Sequence, residues 1–244
     1  MSRLVVIEGL DGAGTTTQAQ RLTAHLEGRG CSVHLTREPS DNPIGRLLRE
    51  FLVGGHAIGD QEIDPATLAL LFAADRMDHL QREVEPQLAS GRIVVSDRWY
   101  HSSLAYQASE LASFPQTGGF DGRADRWCAA RDVRDRYRWV AELNVRARRP
   151  DLTIFLRVDP AVAARRRVDA GRARELFDDL EVQRRVDAGY RAAIDLATER
   201  GERVEIFDGE ASIEEVGARV AALVDELIDG QAPGGSAILQ GSSR

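Results

Sequence analysis

Short apolar runs alternate along the chain with long stretches of helical periodicity. The runs fall at residues 4–7, 33–35, 93–95, 152–156 and 204–207. Runs this short, unbroken and rich in β-branched residues suit strands buried on both faces. The amphipathic stretches between them suit helices that carry the chain from one parallel strand to the next. The pattern predicts an α/β fold: a five-stranded parallel sheet with helices on both faces.

Several helix starts are legible. Asp64-Pro65 places an N-cap before a proline at the first helical position, and the helix it opens should run to about Leu88. Asp159-Pro160 repeats the device after the fourth strand, and Ser212 with Glu215 forms a capping box for the last helix. Residues 113–122 read as a loop and 123–149 as a helix. That helix is rich in arginine, but acids are interleaved throughout, so it reads as a solvated face rather than a nucleic-acid patch. Residues 230–244 are rich in turn formers and should be a flexible tail, leaving a single domain over residues 1–229.

Composition narrows the class. The net charge of −7 argues against a nucleic-acid coat protein, though local charge in a pocket can oppose net charge. Cys31 and Cys128 are too few for a disulfide scaffold, and the histidines show no metal-ligand spacing. No charged leader precedes the first strand and no apolar run could span a bilayer, so a cytoplasmic protein without membrane or nucleic-acid partners is expected. All 32 basic residues are arginine; the chain has no lysine.

That last fact bears on the first turn. Gly9-Leu10-Asp11-Gly12-Ala13-Gly14-Thr15-Thr16-Thr17 follows a predicted strand and precedes a helical pattern. Its glycines let backbone amides face an anion, with the helix dipole behind them. Gly9, Gly12, Ala13, Gly14, Thr15, Thr16 and Thr17 are the candidate phosphate-binding residues, and Thr16 stands where a hydroxyl ligates Mg²⁺. Thr15 stands where the phosphate-loop motif has its lysine, and no lysine elsewhere can replace it.

Other candidates gather at the carboxyl ends of strands, where open parallel sheets bind ligands. Arg37 ends the second strand, and Asp97-Arg98 end the third. Phe72 and Arg76 lie four apart on one helix, so a ring to stack on a base and a donor to its edge can share one ligand.

At these residues the chain resembles the thymidylate kinase family. The likeness runs through the phosphate loop, Arg37-Glu38-Pro39 with Pro43-Ile44-Gly45, Leu71-Phe72-Ala73-Ala74-Asp75-Arg76, the segment from Asp97 through Ser102, Ser103, Tyr106 and Gln107, and residues 150–156. The resemblance implies a P-loop nucleoside-monophosphate-kinase fold, ATP and dTMP as substrates, Mg²⁺, and a homodimer. It implies that Phe72 stacks on thymine, that Arg76 reaches a base oxygen, and that Arg98 binds the dTMP phosphate. Ser102, Tyr106 and Gln107 would line the thymidine pocket, and Arg37 would lie beside the accepting phosphate. Asp11 would sit near the sugar hydroxyl and the metal, and Asp97 would help organise the metal. The loop lacks an internal arginine, so the chain resembles the variant with basic residues in a lid, here about 165–180. Arg172 and Arg174 are the lid arginines expected to supply the charge that Thr15 cannot. A kinase of other base preference, or a nucleotide-binding protein with weak or no activity, are the alternatives.

Overall fold

The computed structural model describes residues 2–54, 57–58, 61–110, 133–171 and 179–230. Strand β1 (Arg3–Gly9) leads into helix α1 (Thr15–Gly28), and β2 (Val33–Arg37) into α2 (Pro43–Gly54). A two-stranded hairpin, β3 (Ala57–Ile58) and β4 (Gln61–Glu62), precedes α3 (Pro65–His79). A π-helical turn (Leu80–Val84) joins α3 to α4 (Glu85–Ala89). Then follow β5 (Ile93–Asp97), α5 (Tyr100–Glu110), α6 (Val133–Leu143), β6 (Leu152–Arg157), α7 (Pro160–Asp169), α8 (Leu180–Glu199), β7 (Val204–Asp208) and α9 (Ile213–Asp229).

The main sheet has five parallel strands in the order β2-β5-β1-β6-β7. Each of the five predicted apolar runs forms one of them. Alternation along β1 shows why the runs read as continuous: Val5 and Ile7 enter one core with Leu22 and Leu26 of α1 and Val216, Val220 and Val224 of α9. Leu4 and Val6 enter a second core with Leu80, Val84, Leu88, Trp99 and Leu104. Both faces of β1 are covered, so apolar residues fall on both. β1 and β5 are neighbours with Ile7 opposite Asp97, so their carboxyl ends open onto one crevice.

The capping signals hold. Asp64 accepts from the amide of Ala66, Asp159 from that of Ala161, and Ser212 and Glu215 form the reciprocal box. The helix opened by Asp64 does reach Ala89, but not as one α-helix. Pro86 has no N–H, and in α geometry its ring would press on the carbonyl of Arg82. A widened turn precedes it, in which the Glu85 amide bonds to the Leu80 carbonyl five residues back.

The predicted helix over 123–149 extends too far. Residues 123–132 lie outside the described residues, as do 113–122, Cys128 and 231–244, but α6 ends at Leu143. Asn144 turns its side-chain amide back to the Val140 carbonyl at 2.8 Å, and a run of tight turns follows toward Pro150. Among the described residues no helix is long and apolar enough to cross a membrane.

Candidate active site

β1 ends at Gly9 and α1 begins at Thr15, leaving a tight loop between them. Gly12 and Gly14 have φ of 92° and 94°, in the left-handed region that favours glycine. A Cβ on Gly12 would also fall 2.3 Å from the Ala163 carbonyl oxygen of α7. Gly14 caps α1 without a side-chain bond, so the first amides of the helix and its dipole face the crevice as an anion site. Thr15 is buried, and its methyl packs back across the loop, 3.3 Å from where a Cβ of Gly9 would sit.

Thr16 donates its hydroxyl to Asp97 Oδ2 at 2.5 Å. The other carboxylate oxygen of Asp97 is buried and has no hydrogen-bond partner among the described residues. A buried carboxylate oxygen left over beside a hydroxyl and a phosphate-binding loop is an oxygen-only donor set, which suits Mg²⁺. Beyond the loop lies a cleft of about 520 Å³, bounded by Gly12, Gly14 and Thr17 on one side and by Arg166 and Arg167 of α7 on the other. Arg166 donates to the Gly209 carbonyl at 2.8 Å, and Arg167 donates to the Asp11 carbonyl at 2.5 Å. The guanidinium of Arg167 therefore rests on the phosphate loop itself.

A second, narrower cavity of about 140 Å³ adjoins the loop. It brings together seven predicted residues: Asp11, Phe72, Arg76, Arg98, Ser102, Tyr106 and Gln107. Arg98 organises one end. Its φ of 77° is unusual for a side-chain-bearing residue and costs about 1–3 kcal/mol. The turn is held by Arg98 N–H on the Ile7 carbonyl at 2.9 Å and by Ser96 Oγ on the Arg98 carbonyl at 2.7 Å. It aims the guanidinium at Asp11 Oδ1 (2.6 Å), Ser102 Oγ (3.1 Å) and the Tyr190 hydroxyl (3.1 Å). Burial opposes the arginine's charge, but Asp11 and the neighbouring Tyr106, Tyr190 and Asp97 outweigh it and hold its pKa well above the usual arginine value. Tyr106 donates to the other oxygen of Asp11 at 2.9 Å, and burial followed by the Asp11 charge pushes the phenol up.

Arg76 organises the other end and is almost wholly buried. Its Nε and Nη2 grip Glu38 Oε2 at 2.8 and 2.6 Å, Nη1 bonds to Asn144 Oδ1, and Nη2 reaches Ser103 Oγ at 3.1 Å. Phe72, one turn earlier, packs among Leu48, Ile63 and Leu68 while lining the cavity. Gln107 is buried with its Oε1 unpartnered among the described residues. That leaves an acceptor oxygen in a buried wall, which a ligand donor would satisfy.

Arg37 stands apart from this cavity, with its guanidinium on Asp41 Oδ1 at 2.9 Å and more than half exposed. Arg172 and Arg174 lie outside the described residues. Four contributors escaped the sequence reading. Glu38 sits inside the quoted Arg37-Glu38-Pro39 segment, and its position beside a candidate arginine was a usable signal. Glu8, buried beside the loop, accepts from Trp99 N–H (2.8 Å), Ser102 Oγ (2.5 Å) and Tyr190 (3.1 Å), and burial raises its pKa despite His101 and Arg98. Tyr190 and Asn144 lie on helical patterns with nothing local to mark them.

A phosphate loop after the first strand, a hydroxyl–carboxylate pair behind it and an arginine-clamped cavity beside it define a P-loop kinase. The pattern that describes thymidylate kinase matches residues 7–115 and 130–220. The probable thymidylate kinase of Thermococcus gammatolerans is 35% identical over 232 residues, covering 93% of this chain and 98% of that protein. That of Pyrococcus abyssi is 36% identical over 220 residues, covering 90% and 94%. The thymidylate kinase of Bifidobacterium longum (strain NCC 2705) is 36% identical over 224 residues, covering 91% and 97%. The chain belongs to the thymidylate kinase family.

Proposed function

We propose that this protein is a cytoplasmic, homodimeric enzyme that transfers the γ-phosphoryl group of ATP to dTMP, with Mg²⁺ as the metal. The observation that carries the reading is the gathering of Asp11, Phe72, Arg76, Arg98, Ser102, Tyr106 and Gln107 around one cavity beside the phosphate loop. Thymine offers an N3–H donor flanked by carbonyl acceptors. Gln107 Oε1 supplies an acceptor, the Arg76 guanidinium supplies the N–H that its bonds to Glu38, Asn144 and Ser103 leave over, and Phe72 supplies a stacking face. Pro39 and Leu52 give the C5 methyl an apolar wall. Arg98 holds the acceptor phosphate, and Asp11, fixed by Arg98 and Tyr106, faces the sugar.

The loop amides and the start of α1 hold the donor phosphates in the larger cleft. Thr16 and Asp97 would hold Mg²⁺, which when bound neutralises charge on the phosphates. Phosphoryl transfer needs positive charge around the migrating group more than covalent help. Thr15 gives none. The arginine-rich segment after β6 supplies it: Arg167 already rests on the loop, and Arg172 and Arg174 follow it in the sequence. Support for a dimer comes from Leu47 and Val53 of α2 and Leu70 of α3, exposed on two helices that pack together.

The test is ADP release from ATP·Mg²⁺ with each nucleoside monophosphate in turn. Turnover with dTMP at least about tenfold above every other acceptor is expected. Tight dTMP binding with no turnover would sink the reading. Sedimentation at micromolar concentration checks the dimer.

A further inference from the structure

Arg76 does not stand alone in its pocket wall. Directly behind it His79 is completely buried, one turn further along α3, with the Trp99 ring edge-on at 5.8 Å. The hydrogen bonds around its imidazole define its protonation. Nδ1 lies 3.3 Å from Glu38 Oε1, and an ionised carboxylate only accepts, so Nδ1 carries a proton. Nε2 lies 2.7 Å from Thr36 Oγ1. Thr36 has one hydroxyl proton, and it points to Glu83 Oε1 at 2.6 Å, an ionised acceptor stronger than a neutral ring nitrogen. Thr36 must then accept from Nε2, which carries a proton too. A ring that donates from both nitrogens is an imidazolium.

We propose that His79 is a positively charged positioning residue that locks Glu38 and, through it, holds the Arg76 guanidinium in register to read the nucleotide base. The inference rests on Arg76 facing the base, as proposed above. Glu38 is the hinge of the device. Its Oε2 takes two bonds from Arg76 and its Oε1 takes the one from His79, so each carboxylate oxygen is committed to a different cation. The charged groups around His79 are Glu38 after β2, Asp75 and Arg76 on its own helix, and Glu83 in the π-helical turn that follows. His34 of β2 shares Glu83. Three carboxylates against the single guanidinium of Arg76 leave two negative charges, and the imidazolium offsets one of them. Burial opposes the charge, but the Glu38 bond and the charges of Glu38, Glu83 and Asp75 outweigh it, so the pKa is raised above the ordinary histidine value. Glu83 is correspondingly lowered: burial would raise it, but Thr36, His34 and His79 prevail.

The sign follows. With the folded value above the unfolded one, the linkage is fully present below about pH 6.5 and is lost as pH rises through the raised value. A neutral ring must give up one of its two donors, and Glu38 is released from one side.

Two measurements on the intact protein decide the matter. Nitrogen-15 shifts of the imidazoles should show both nitrogens of His79 protonated near neutral pH. The KM for dTMP should climb by about tenfold toward alkaline pH while kcat at saturating dTMP changes less than about twofold. His79→Gln should carry the elevated KM at every pH with a flat profile, and His79→Asn, which can still donate toward Glu38, should recover part of the loss. A neutral His79 ring near pH 7, or a His79→Gln enzyme with the wild-type KM and profile, overturns the proposal. If His79→Gln does not fold, the nitrogen shifts and the wild-type profile still decide. If the wild-type protein does not turn over dTMP, the kinase reading falls, while the shifts and the pH dependence of dTMP binding by calorimetry still judge His79.

Discussion

On the acceptor side of the crevice, Arg76 and Arg98 are fixed before any ligand arrives. Arg76 has bonds to Glu38, Asn144 and Ser103, and Arg98 to Asp11, Ser102 and Tyr190. On the donor side the phosphate loop is a cradle of backbone, and its flanking arginines rest on backbone carbonyls of Gly209 and Asp11. One wall holds its cations with carboxylates; on the other, Arg166 rests on the main-chain oxygen of Gly209, which a phosphate can outcompete. The contrast suits the tasks. A base and a fixed phosphate need a rigid template, because misplacement by about 1 Å can cost on the order of a hundredfold. A migrating phosphoryl group needs positive charge close to it, and Arg166 and Arg167 stand on that side of the crevice.

The largest effect should come from breaking the rigid wall. Arg98→Met removes the guanidinium proposed to grip the acceptor phosphate and takes one partner from Asp11; kcat/KM for dTMP should fall by about 10²–10³, read by ADP release. An unaffected rate would show that another group holds the phosphate. Arg76→Met comes next. It leaves Glu38 buried against His79 alone, so about 3–5 kcal/mol of stability should go in denaturant titration, with a higher KM for dTMP. A smaller loss is expected on the donor side. Arg167→Met should lower kcat about tenfold, with Arg172→Ala and Arg174→Ala in the same range. Near-wild-type rates in all three would end the view that arginines replace the loop lysine. Thr15→Lys in the Arg167→Met background should restore part of the loss, whereas in the wild-type chain it should bring no gain, because the charge is already supplied. Thr15→Val should change kcat by less than about twofold, since the side chain packs within the loop and carries no charge.

Much of this architecture was legible without coordinates. The β-branched runs became strands because the central ones, β1, β5 and β6, are buried along nearly their whole length, and Asp64, Asp159 and Ser212 marked helix starts because a cap is satisfied within three residues. Phe72 with Arg76 and Asp97 with Arg98 could be singled out because each pair is local, whereas Tyr106 and Gln107 came with the family resemblance. The helix over 123–149 ran too far because helical charge patterning continues past Asn144, whose side chain turns back on its own helix and also holds Arg76.

The chain by itself determined the strand–helix alternation, the phosphate loop and the loss of its lysine, all carried by residues near one another in sequence. Tertiary structure alone decided which groups complete the site. Glu38 meets Arg76 across 38 residues, Asn144 meets it across 68, and Tyr190 reaches Glu8 across 182. Such contacts leave no periodic trace. They arise because burying an arginine is costly until every donor finds a partner, and only the packed arrangement of β2, α3, α5 and α6 brings those partners within reach.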